Sequence, residues 1–296
     1  MRTLGYGRVL RLLIAALPML LGNRACAAAA TNSPWNRVVM IGASASAGFV
    51  FSEPFGGTNT AKCRLNHYLE AALKAPHEPV KNLANALFFL LPEPAGRMQI
   101  EQAVEARPTL VVGVDFLFWF CYGQGTNDAE RLSRFDGGLK LLDSVKCPLV
   151  LGSIPDASYA TNTGIISPAQ VPSPAALAAA NARLKTWAAA RPQVALVPLS
   201  EFMQTAMANE ALTVHGQTLP AGKTRAILQS DFLHPAPRGA AWLALGILDA
   251  LISQEPGFAA ADVRWNAEEV FRLGSESALA RLKTSAPSSI AVPAGK

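Results

Sequence analysis

A three-layer α/β/α sandwich, built on a five-stranded and mostly parallel sheet, is the fold class that this 296-residue sequence predicts. Three observations lead there. Short apolar runs alternate with longer segments of helical period along most of the chain. The first apolar run leads directly into a corner of small residues, Gly42-Ala43-Ser44-Ala45-Ser46-Ala47-Gly48, of the kind that joins a parallel strand to its crossover helix. Neither an internal repeat nor a second compositional regime interrupts the pattern, so one domain with a sizeable core fits the length.

The elements follow in order. Arg37–Ile41 (RVVMI) reads as the first buried strand, Pro79–Leu83 as the second and Thr109–Val114 (TLVVGV) as the third. Pro148–Gly152 and Val194–Pro198 supply the fourth and fifth. Between them, Arg64–Leu73, Gln99–Ala106, Asp128–Val145 and Pro174–Ala190 place apolar residues at helical spacing. Leu212–Leu228 alternates and contains Pro220-Ala221-Gly222, which predicts a small appended hairpin turning at that tripeptide. Pro237–Ile252 reads as a helix with proline in its first turn, and Ala267–Leu282 as a last helix. The domain thus spans 31–282, and residues 283–296, rich in Ser, Pro and Ala, are expected to be a disordered tail.

The first thirty residues are a separate matter. Arg2, Arg8 and Arg11 precede an apolar run from Leu12 to Leu21, and the small residues Ala25–Ala30 follow. This is the layout of a secretory leader, with cleavage expected between Ala28 and Thr31. The apolar run is shorter than the roughly 20 residues that a membrane-spanning helix needs. A lipid-modified Cys26 is the competing reading, although Asn23 occupies the position where such sites want an apolar residue. Either way the sequence predicts a periplasmic or secreted protein, with membrane attachment only through the leader or a lipid on Cys26.

Removing the leader changes the charge argument. The whole chain carries 26 basic and 21 acidic residues, a net +5, but four of its arginines lie in the leader with no acid among them. The remaining 22 basic residues leave a balance of +1, and no later Lys/Arg-rich block exists, so a nucleic-acid partner is not expected. Cys63, Cys121 and Cys147 remain, an odd number that argues against a dense disulfide framework and leaves one bridge open. Without a C-x-x-C or H-x-x-x-H pair, a structural or catalytic zinc has little support.

Two segments carry chemistry. Ser44 sits on the corner after the first strand, at the carboxyl edge of the sheet, where backbone N–H groups of the following helix could receive an oxyanion. The same residues also suit an ordinary glycine-rich turn. The second segment is Asp231-Phe232-Leu233-His234-Pro235, just before the Pro237 helix. A serine hydroxyl needs a base to become a nucleophile, and histidine titrates in the right range. A carboxylate three residues earlier can hold the imidazole Nδ1–H, or can simply cap the next helix. The other histidines, His67, His77 and His215, read as solvated or structural.

Together these segments resemble the SGNH/GDSL hydrolases, flavodoxin-like serine esterases whose first block is G-D-S-x-S-x-G and whose last is D-x-x-H. The resemblance spans most of the chain in element order and is specific at its two ends. It implies Ser44 as nucleophile, His234 as base and Asp231 as the orienting acid. It also implies an oxyanion hole from the Ser44 N–H, the Ala84 N–H in place of a glycine, and Asp115 at the position where the family has asparagine. The sequence departs from the family at Ala43, which replaces the first-block aspartate, and at Asp115. An ionised Asp115 would repel an oxyanion. Either a protonated Asp115, its pKa raised among Phe116–Tyr122, or a substitute donor such as Asn85 or Asn82 would restore the hole. Phe116 and Trp119 are expected to line an acyl or aromatic pocket, or to enter the core as a buried strand end. The Pro-rich stretches Leu91–Gly96 and Ser153–Pro174 are candidate entrance loops.

The resemblance implies hydrolysis of small-molecule, carbohydrate or lipid esters such as acetylated sugars, lipids and simple esters, or acyl transfer, with neither a metal nor an organic cofactor. The alternative is a catalytically silent cell-envelope binding protein on the same fold, kept open by Ala43 and Asp115.

Overall fold

The computed structural model describes residues 33–125 and 127–285. The leader, Cys26 and residues 286–296 lie outside the described residues.

The chain opens on β1 (Val38–Met40), the short α1 (Ser44–Ala47), α2 (Thr58–Cys63) and α3 (Leu65–Ala72). There follow β2 (Lys81–Asn82), α4 (Pro92–Glu105), β3 (Leu110–Gly113), α5 (Phe118–Cys121), α6 (Asp128–Leu141) and β4 (Leu149–Gly152). The second half contains α7 (Pro174–Ala189), β5 (Val194–Val197), α8 (Leu199–Ala208), the hairpin β6 (Leu212–Val214) and β7 (Gln217–Leu219), α9 (Pro237–Gln254) and α10 (Ala267–Ser285).

All five sheet strands are parallel, in the order β2-β1-β3-β4-β5. Val38 to Met40 pair in register with Leu110 to Val112, which sets the carboxyl ends of β1 and β3 side by side. Because side chains alternate across a strand, each strand feeds two cores. Val38, Met40, Val112 and Val150 pack beneath α3, α9 and α10, whereas Val39, Ile41, Val111 and Leu149 pack against α4 to α7. The expected sandwich is therefore present, with helices covering both faces.

Local departures from the sequence reading have physical causes. The stretch expected as an entrance loop, Leu91–Gly96, is instead the first turn of α4. Pro92 stands there at the position where a missing N–H costs nothing. The hairpin turns at His215-Gly216 and not at Pro220-Ala221-Gly222. Both residues have positive φ, 45° and 76°, as a two-residue hairpin loop requires. The Phe116–Tyr122 run is no strand end: after β3 the chain turns into α5, with every residue of the run buried. Helix α8 lies where no element was expected. It begins at once after β5 and stops at Asn209, whose φ of 57° closes it in the left-handed conformation. At the end, α10 runs three residues past the expected boundary at Leu282.

The three cysteines Cys63, Cys121 and Cys147 are all free. Burial pushes their thiols up to about 11, about 12 and about 11, so none is poised as a thiolate nucleophile.

Candidate active site

The corner between β1 and α1 is held from three directions. Gln99 on α4 is buried and bonds Gly42 twice, accepting from its N–H at 2.8 Å and donating to its carbonyl at 2.9 Å. The Asn85 N–H donates to the same carbonyl at 3.1 Å. Gly42 itself has φ +145°, and a Cβ there would stand 2.1 Å from Asp115 Oδ1. At the far end, Gly48 closes α1 in the left-handed conformation, and a Cβ would meet the Arg64 backbone nitrogen at 2.5 Å. The two glycines let the serine-bearing turn lie against β3 on one side and α2 and α3 on the other. Gly42→Ala should therefore cost about 3 kcal/mol, seen as a fall of roughly 10 °C in Tm. An unchanged melting curve would show that Asp115 can yield.

The Asp231–His234 turn is equally specified. Asp231 Oδ1 accepts the N–H groups of Leu233 and His234, both at 3.0 Å. Phe232 between them adopts φ +60°, uncommon for an aromatic residue, and the Arg225 guanidinium lies over its ring at 4.2 Å. Gln229 ties the turn to the serine side, donating to the carbonyls of Phe49 and Pro235 at 2.8 and 3.0 Å. The Phe49 ring lies 4.8 Å from the His234 ring.

These two segments meet. His234 Nε2 stands 2.8 Å from Ser44 Oγ, and His234 Nδ1 stands 2.8 Å from Asp231 Oδ2. All three residues are buried. Burial alone would raise the Asp231 carboxyl. The hydrogen bonds from the His234 ring and from the two backbone N–H groups outweigh it and hold the carboxyl below its usual range. The arrangement can therefore keep an anion on Nδ1–H while Nε2 accepts the serine proton.

The remaining expected residues are placed differently. Asp115 lies beside Ser44, but both of its oxygens act as acceptors: Oδ2 takes the Ser46 N–H at 3.1 Å and Oδ1 the Ser46 hydroxyl at 2.6 Å. The expectation of Asp115 as an oxyanion donor gives way to Asp115 as the anchor of α1. The Ala84 N–H is engaged by Asn82 Oδ1 at 2.9 Å. Asn82 in turn donates to the Ser46 carbonyl and to Asn66, while Asn85 Oδ1 accepts from the Leu87 N–H. Ala84 and Asn85 border an open polar cleft with Ala47, Phe49 and Arg64.

Phe116 and Trp119 do not line the pocket at Ser44. Phe116 is fully buried against Phe88 and Phe120, and Trp119 packs on Phe89 and Phe118. Their neighbour Phe118 lines it instead, with Leu199, Phe202, Met203 and Leu243, around a cavity of about 60 Å³. From the Ser153–Pro174 connection, Pro155 reaches this cavity. The Tyr122 hydroxyl holds Pro155 in place by donating to its carbonyl and accepting the Ala157 N–H. Phe202 and Met203 lie on α8, a segment to which the sequence pattern assigns no helix. Among the described residues no group of three or more His, Cys, Asp or Glu could hold a metal ion.

The strand order, the serine at the carboxyl end of β1 and the Asp-x-x-His turn before α9 decide the fold class. The fold is a three-layer α/β/α sandwich, arranged as the SGNH/GDSL resemblance implies. Among solved structures, the chain is similar to a lipase/acylhydrolase of Enterococcus faecalis at 15% identity and a TM-score of 0.49. The match covers 77% of this chain and 97% of that one. It is also similar to a protein of Bacillus subtilis at 16% identity and a TM-score of 0.44, over 76% of this chain and 58% of that one. No family model and no curated protein sequence matches the chain.

Proposed function

We propose that this chain is an exported serine ester hydrolase acting on short-chain acyl esters through Ser44, His234 and Asp231. The single observation that carries the reading is the unbroken relay from Ser44 Oγ to His234 to Asp231, each contact 2.8 Å. Ser44 Oγ attacks the ester carbonyl as His234 Nε2 takes its proton. Asp231 stays ionised and stabilises the imidazolium. His234 then returns the proton to the leaving alcohol, and water repeats the sequence to free the acid. The Ser44 N–H, at the open start of α1, is the first oxyanion donor. The Ala84 N–H joins it when the Asn82 side chain turns away. The acyl group occupies the apolar cavity, whose size favours a chain of a few carbons.

The experiment is hydrolysis of p-nitrophenyl acetate, butyrate and octanoate by the leader-free protein, beside Ser44→Ala and His234→Ala. The expected result is turnover of the two short esters above the octanoate, lost by about 10,000-fold or more in both variants. Turnover that survives either variant would remove that residue from the mechanism.

Export rests on the basic start, apolar run and alanine-rich end of the first thirty residues. Mass spectrometry of the mature N-terminus should find it between Ala28 and Thr31, whereas an acylated Cys26 would establish a lipoprotein. One observation favours the second reading, a silent binding protein. With Asp115 an acceptor and the Ala84 N–H engaged, the oxyanion hole has few free donors. A fluorophosphonate probe that fails to label Ser44 would select that reading.

A further inference from the structure

We infer that the cavity where α3, β2 and α10 meet binds a small oxyanion, a phosphate- or carboxylate-type group. The cavity measures about 250 Å³, and its polar walls are Arg64, Asn66, His67, Asn82 and Arg281. No carboxylate is among its lining residues. The nearest acid on α3, Glu70, is already committed: Oε1 accepts the Val80 N–H at 2.7 Å and Oε2 pairs with Arg281.

Three of the side chains that line the cavity keep unused polar atoms. Asn66 is 4% exposed, and its Oδ1 accepts from Asn82 at 3.0 Å, while its own amide NH2 finds no acceptor among the described residues. The Arg64 guanidinium makes neither a hydrogen bond nor an ion pair among them. His67 is likewise 4% exposed, and its Nδ1 is buried without a partner. Buried polar atoms are normally hydrogen-bonded, so the arrangement calls for a ligand that satisfies them.

Charge selects the kind of ligand. Two guanidiniums face the cavity and one carboxylate behind it neutralises Arg281, which leaves the charge of Arg64 uncompensated. Burial first, and then Arg281 and Arg64, push the His67 imidazole down to about 4, so it stands neutral near pH 7. An anion would relieve the repulsion between these groups, and a planar guanidinium matches two oxygens of a phosphate or carboxylate at once. Arg64 and Asn82 also line the polar cleft beside the triad, so the two spaces share a wall.

The test is titration of the leader-free protein with inorganic phosphate, and separately with succinate, at constant ionic strength made up with chloride. The His67 ring resonances and Tm are followed in the wild type, Arg64→Gln and Arg281→Gln. The expected result is a saturable shift of the His67 resonances with a rise in Tm, and affinity at least tenfold weaker in Arg64→Gln. A stronger response to phosphate or to succinate tells which source of the oxyanion fits. No saturable shift with either anion up to about 20 mM, or equal affinity in Arg64→Gln, would overturn the assignment. Arg281→Gln guards against a purely local effect of Arg64, because weakened binding in both variants requires that the anion sit between them.

Discussion

Asp231→Asn should leave the chain folded and lower kcat for an activated short-chain ester by about 10,000-fold. Asparagine is isosteric, and its oxygen can still accept the Leu233 and His234 N–H groups that build the turn. The atom facing His234 Nδ1 becomes an NH2, however. A donor there forces Nδ1 to accept, so the ring proton moves to Nε2, which faces Ser44 Oγ at 2.8 Å. The base is then unable to take the serine proton. The measurement is kcat beside a thermal melt. A loss of only a few fold with an unchanged melt would reduce Asp231 to the helix-capping role that the sequence also allowed. The acid side of the stability curve offers a second readout. A carboxyl held low in the folded state contributes stability above its unfolded pKa, and loses it as pH falls through the folded value. The variant should therefore show a flatter decline of Tm below pH 4.

Asp115→Asn is expected to act in the opposite direction, raising kcat by about 10- to 100-fold. Asp115 places a carboxylate beside Ser44, at the edge of the cavity that both residues line. Replacing it with an amide removes the repulsion and supplies a donor, and one such donor is commonly worth about 100- to 1000-fold. The lower figure is expected because the amide remains partly held by Ser46. Asparagine oxygen can accept the Ser46 N–H, and the Ser46 hydroxyl can rotate to accept from the amide. Steady-state kinetics on p-nitrophenyl butyrate decide the matter. A fall in kcat, with the fold intact, would show that the negative charge holding α1 matters more than the repulsion it exerts.

The parts of the site that were legible in the sequence are those whose chemistry is local. A serine on a small-residue corner after a β-branched strand, and an aspartate three residues before a histidine, each signal a geometry within one turn of chain. Their meeting follows from parallel-sheet topology, which puts both at one end of the strands. What the sequence did not disclose depends on contacts between distant segments. Gln99 looks like one polar residue of a helix until its double bond to Gly42 is seen. Asp115 reads as one acid beyond a buried strand, and only the approach of Ser46 makes it an acceptor. Phe116 and Trp119 belong to an aromatic run in which each residue faces a different way, and a short helix put Phe118 at the cavity. The hairpin turned at His215-Gly216 because a backbone sign requirement overrode the stronger proline signal.

Ser44 and His234 are 190 residues apart in the chain. The reactive pair therefore exists only once the segment carrying His234 has docked beside the corner between β1 and α1. A closure of this range loses chain entropy before the contact rewards it. A partly folded chain would accordingly carry an inert serine. Regain of the proposed esterase activity during refolding would therefore time the docking of the segment that carries His234.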